Sequence, residues 1–126
     1  MIRIIPYVLF VVMSLATVGP RSAHALDAAD LPKAIENAKT AADHEAIATY
    51  FEEQAKEARA TAKSHQEMGA IYKKESSPPP KSGGAAHLFH TQMGEHCDDL
   101  ATKYEKVAKD YEAMAAEHRA QAKAAR

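Results

Sequence analysis

The run Ser76-Ser77-Pro78-Pro79-Pro80-Lys81-Ser82-Gly83-Gly84 constrains this chain more than any other stretch of its length. Three successive prolines each lack an amide hydrogen and fix φ, so no helix continues through them. On both sides the composition is the opposite. From about Thr40 to Glu75 there is no proline and a single glycine, and Ala, Glu, Lys, Gln and Arg predominate; the same mixture resumes from about Ala85 to Ala125. These residues are strong helix formers. The expected fold is therefore all-α, a long antiparallel α-helical hairpin over residues 40–126, with one helix at about 40–75, a turn at 76–84 and a second helix at about 85–125. Upstream, residues 26–39 read as an extension containing a short helix, with Asp30 and Pro32 at its cap and first turn; Thr40-x-x-Asp43 resembles a capping box opening the first long helix.

Residues 1–25 have a different character. One Arg near the start, an apolar run from Ile4 to Gly19, a helix-breaking Pro20 and then Ala23-His24-Ala25 follow the order of a cleaved secretory signal peptide. The apolar run is shorter than a comfortable membrane span. No cysteine stands immediately after the expected cleavage point, where Leu26 is found, which gives no support to a lipid anchor. The expected location is periplasmic or otherwise extracytoplasmic, with no stable membrane anchor once the segment is removed. From Leu26 onward the formal charge is −3, with no basic patch or polycationic tail, which argues against nucleic acid or an anionic membrane as partner.

Hydrophobic periodicity indicates the buried faces. In the second helix, steps of seven run His90, Cys97, Tyr104, Tyr111, His118; a second row is Met93, Leu100, Val107, Met114, Gln121; a third is Gly94, Ala101, Ala108, Ala115, Ala122. The first helix has His44, Phe51, Ala58, His65, Tyr72, then Ile47, Gln54, Thr61, Met68, then Ala48, Ala55, Ala62, Gly69. One apolar row beside one small-residue row, sustained over four heptads, predicts helix-on-helix packing with close backbones. Setting His44–Met68 against Cys97–Gln121 also aligns Thr49 with Thr102, Glu52 with Glu105, Lys56 with Lys109 and His65 with His118, so the hairpin is expected to have an approximate internal two-fold. A lone hairpin leaves much of each seam in water, and about 100 residues build a sound core only when something covers it. The economical cover is a second copy, giving a homodimeric four-helix bundle; another helical protein is the rival partner.

If the turn centres near Pro80, residue i on the first helix lies opposite about 160 − i on the second. That places His65, Met68, His90, Met93, His96 and Cys97 in one neighbourhood near the turn, and His44, Met114 and His118 in a smaller one at the open end. Imidazole, thioether and thiolate together form a soft ligand set suited to copper, and His with Cys alone would hold zinc. Non-covalent haem ranks below a bare ion, because the small-residue rows leave little room for a macrocycle. The competing reading is that the methionines, histidines and Cys97 are packing residues.

Catalytic patterns are thin. His96 points about 100° around the helix from Cys97, poorly placed to take a thiol proton. There is no C-x-x-C, no H-E-x-x-H and no glycine-rich phosphate loop. The expectation is a non-enzymatic protein, either a soft-metal binder or a helix-interaction protein of structural or chaperone-like type.

Overall fold

The computed structural model describes residues 25–77 and 84–126. The expected signal segment lies outside the described residues except for Ala25, and of the proline-rich turn only Ser76, Ser77 and Gly84 fall within them. Three helices follow in order: α1, Leu31–Asn37; α2, Ala41–Glu75; and α3, Ala85–Ala124. The long pair packs side by side as a hairpin, and α1 packs on α2. Among the described residues no helix is long and apolar enough to cross a membrane.

The start of α2 is built by local hydrogen bonds. The Thr40 hydroxyl accepts from the Asp43 amide at 3.2 Å, and the Asp43 carboxylate accepts from the amides of Thr40 and Lys39 at 2.8 and 3.0 Å. The box is complete although aspartate replaces the usual Glu or Gln. Those backbone donors, Lys39 first, hold the Asp43 carboxyl below its ordinary value. Asp30, by contrast, stands at the N-cap of α1 without a capping bond from its side chain. Asp27 does the local work instead, its carboxylate accepting from the Ala29 amide at 2.8 Å and its carbonyl from the amides of Asp30 and Leu31.

The interior of the hairpin is made almost wholly of small residues. Ala48, Ala55, Ala62 and Gly69 on α2 face Gly94, Ala101, Ala108, Ala115 and Ala122 on α3, and all are buried. The backbones approach closely: a β-carbon placed on Gly69 would stand 3.2 Å from that of Cys97 and 3.4 Å from the Gly94 carbonyl oxygen. An alanine side chain removes little apolar surface from water, so the seam gains chiefly from dense contact between main chains. Only Ile47 and Phe51 add large side chains to the buried set. They sit with Ala115 at the open end, where Leu26, Leu31, Ala34 and Ala38 fold over them beside Tyr50 and Tyr111.

The register differs somewhat from the one read from the turn. Gly69 meets Cys97, His65 stacks on Tyr104 and Phe51 on Tyr111, so residue i lies opposite about 165 − i rather than 160 − i. The physical cause is the unequal length of the two helices, 35 residues in α2 and 40 in α3. The first turns of α3 extend past the level of Glu75 before the two helices run together. Leu88 and Phe89 lie on this projecting part and are more than half exposed.

One flank of the seam is electrostatic. Arg59 donates to Glu105 at 2.9 Å and to Glu112 at 2.6 Å. Arg119 holds Glu52 in a two-pronged contact, both bonds 2.8 Å, and also pairs with Glu45. Lys73 pairs with Asp98. Glu52 and Glu105 each stand four residues before a lysine, Lys56 and Lys109, the favourable order for a pair within one helix. They are drawn across the seam instead, because their row flanks the small-residue row and a planar guanidinium can grip two carboxylates at once.

Candidate functional site

The other flank carries the chemistry. His44, Phe51, His65 and Tyr72 on α2 meet His90, Tyr104, Tyr111 and His118 on α3 as a ladder of rings. His65 lies flat against Tyr104, with centroids 5.6 Å apart and planes within 13°. Tyr72 is tilted against His90 at 6.0 Å, and Phe51 lies between Tyr111 at 6.0 Å and His118 at 5.9 Å. Each of these rings belongs to a heptad row that stands about 50° around its helix from the small-residue row. Close approach of the backbones therefore leaves a shallow trough whose walls are aromatic.

The six residues expected near the turn are spread along this trough. Cys97 is buried against Gly69 as a free thiol. His65 stands one heptad away beside Tyr104, and its Nδ1 is buried without a hydrogen-bond partner. His90 stands one heptad away in the other direction, and a heptad of helix is about 10 Å long. Met93 is half-buried, whereas His96 and Met68 are exposed. Among the described residues no three His, Cys, Asp or Glu side chains converge as a metal would need.

At the open end two side chains do meet. The Nδ1 atoms of His44 and His118 stand 3.1 Å apart, with ring centroids 5.4 Å apart and planes inclined by 35°. The excess of the second distance over the first is about two ring radii, so the rings meet end to end, with the two nitrogens within hydrogen-bond distance. Met114 lies one turn before His118 and is 44% exposed. Burial of its ring, with the His44 imidazole adding to the effect, holds His118 below the ordinary histidine value.

That shift has a sign that can be measured. A histidine whose folded-state value is depressed takes up its proton more readily in the unfolded chain. Its contribution to stability is complete above about pH 6.5, the unfolded value, and is lost as pH falls through it towards the folded value. The thermal midpoint is expected to fall between pH 7 and pH 5, before most carboxylates titrate, and the His118→Gln variant should show a flatter profile. Parallel profiles for the two proteins would mean that His118 does not govern this dependence.

The third feature is the outer margin of the same face. Leu100, Val107 and Met114 follow at heptad spacing with 37%, 39% and 44% exposure, and Met68 on α2 is 39% exposed. Sequence periodicity placed these residues in the seam. In the structure the small residues occupy the seam and the larger ones stand beside it. The cross-helix arginine pairs were not anticipated from the sequence. Their signal was the recurrence of Glu45, Glu52, Arg59 on α2 and Glu105, Glu112, Arg119 on α3 at steps of seven.

No protein-family model matches the chain, and no match is found among the curated proteins or the solved structures.

Proposed function

We propose that this protein is a non-enzymatic, extracytoplasmic helical hairpin whose aromatic and apolar face is covered by a second copy, closing a four-helix bundle, and that its role is structural or helix-binding. One observation carries the reading. The hairpin buries alanine and glycine between its helices and leaves Leu100, Val107, Met114 and Met68 at the margin of a single face. The opposite face is occupied by the arginine and glutamate pairs. Contiguous apolar surface rimmed by polar residues marks association sites.

A second copy fits this face for geometric reasons. The row from Met93 to Met114 runs about 30 Å. Two packed helices are roughly 20 Å wide, so the face spans at most roughly 600 Å² before the open-end part that α1 covers is taken off, the low end of what specific interfaces bury per partner. The heptad phases of α2 and α3 are matched, so two such faces can interdigitate about a two-fold axis. The partly exposed rings of the trough would then lie in the centre of the bundle, where aromatic residues contribute most. This reading takes the histidines, methionines and Cys97 near the turn as packing residues.

Sedimentation equilibrium on the chain purified from the extracytoplasmic fraction of its expression host tests it. The expected mass is twice that of the processed chain, with dissociation on dilution. A monomer at every concentration up to about 100 µM, where even a weak complex with micromolar affinity is formed, would overturn the dimer.

A further inference from the structure

We propose that His44 and His118, with Met114 beside them, form a binding site for Cu(I). The site shares Met114 with the face proposed for the second copy, but both imidazoles come from one chain, so its ligands are complete within a single hairpin. The spacing of the nitrogens is the first argument. Metal–imidazole bonds are about 2.0–2.1 Å, so two ligands at trigonal or tetrahedral corners stand roughly 3.3–3.6 Å apart, and nearer 3 Å at a right angle. The Nδ1 atoms are 3.1 Å apart already. They come from two helices locked together by the alanine seam, which fixes their separation without a loop. Turning both rings off their common line aims the two lone pairs at one point, with no shift of either helix.

The surroundings decide the kind of ion. Three of the carboxylates near the pair in sequence or across the seam are occupied: Glu45 pairs with Arg119 and Arg126, Glu52 with Arg119, and Asp43 accepts from the Thr40 and Lys39 amides, while Glu117 stands exposed. The Phe51 ring lies 5.9 Å from that of His118 and makes one wall apolar. Two imidazoles and an exposed thioether one turn away remain, which is a soft set that selects Cu(I) over Zn(II) or harder ions. The proton balance closes. The ring that carries its proton on Nδ1 moves it to its own Nε2 through water, freeing both Nδ1 lone pairs, and copper enters and stays as Cu(I).

The test is anaerobic competition for Cu(I) against a colorimetric chelator, with native mass spectra of the same samples, on the full exported chain. One ion per protomer is expected, bound at least about tenfold more weakly after His44→Leu or His118→Leu and unaffected by Cys97→Ser. Met114→Leu should weaken binding by a smaller factor. Because a histidine variant could also disturb the fold, the imidazole resonances of the unaltered protein are followed by NMR; those of His44 and His118 should shift on Cu(I) addition while His96 stays fixed. Loss of binding in Cys97→Ser with no change in the histidine variants, or unmoved His44 and His118 resonances, would overturn the site. The mass spectra report the dimer separately, so failure of either reading is visible without the other.

Discussion

Replacing Val107 with glutamate should turn the proposed dimer into a monomer while leaving the hairpin folded. Val107 is the middle of the exposed row between Leu100 and Met114, 39% exposed, and makes no part of the small-residue seam. In the single hairpin a carboxylate there remains in water at little cost. At the centre of a two-fold interface two such carboxylates would be buried near one another without partners, and charges truncated or introduced in that way cost several kcal/mol. The expected dissociation constant rises by at least about a hundredfold, which corresponds to ~2.7 kcal/mol. Light scattering should report the single-chain mass, and the far-ultraviolet helical signal should be kept. A variant that remains dimeric would place the interface elsewhere, on the ion-paired face or on the projecting end of α3.

Ala108→Leu should have the reverse profile, with the hairpin itself lost first. Ala108 has no exposed surface, and it sits in the middle of the small-residue row of α3. Three added carbons have no void to enter, because the interior is lined by main chain and alanine methyls. Overpacking a tight core typically costs 1–3 kcal/mol, and here relief requires pushing a whole helix outward, so the upper end, about 3 kcal/mol, is expected. For a domain of this size that is roughly 12–24 °C in thermal midpoint. The control is Ala116→Leu, on an exposed position of the same helix. It keeps the same helix propensity change and should leave the midpoint nearly unmoved. Equal effects at both positions would mean that the seam is looser than its glycine contacts indicate.

The hairpin was legible because proline chemistry and helix propensity act locally. Nothing beyond Pro78–Pro80 and two alanine-rich stretches was needed to place the break, and the Thr40–Asp43 box could be read directly because its bonds span only three residues. The small-residue rows could also be read, since a heptad is a local pattern. What could not be read was which of two adjacent rows takes the seam. Ile47 and Leu100 lie one row away from Ala48 and Ala101, and hydrophobicity alone favours the larger pair. The outcome depends on how close two backbones come, a property of both helices at once. The same holds for the ligand clusters. A register shift of about five residues, matching the unequal lengths of α2 and α3, is enough to carry His65 away from His96 and onto Tyr104. The pairing of His44 with His118 survived because the open-end cluster was defined loosely, by three residues near the ends of their helices.

An alanine seam repeats itself, and a repeating surface is a poor ruler. Slide α3 along α2 by seven residues and methyl meets methyl again, with nearly the same packing. The charged flank removes that ambiguity. A slide of one heptad in one direction carries Arg119 from its place between Glu45 and Glu52 to a place between Glu52 and Arg59, where two guanidinium groups oppose each other. A slide in the other direction sets Glu112 against Glu45 and Glu52. These exposed pairs contribute little to the depth of the native minimum. Their effect is to raise its neighbours, so that among several almost equivalent alignments a single one is selected, by ions that high salt would blur rather than by the core that salt leaves untouched.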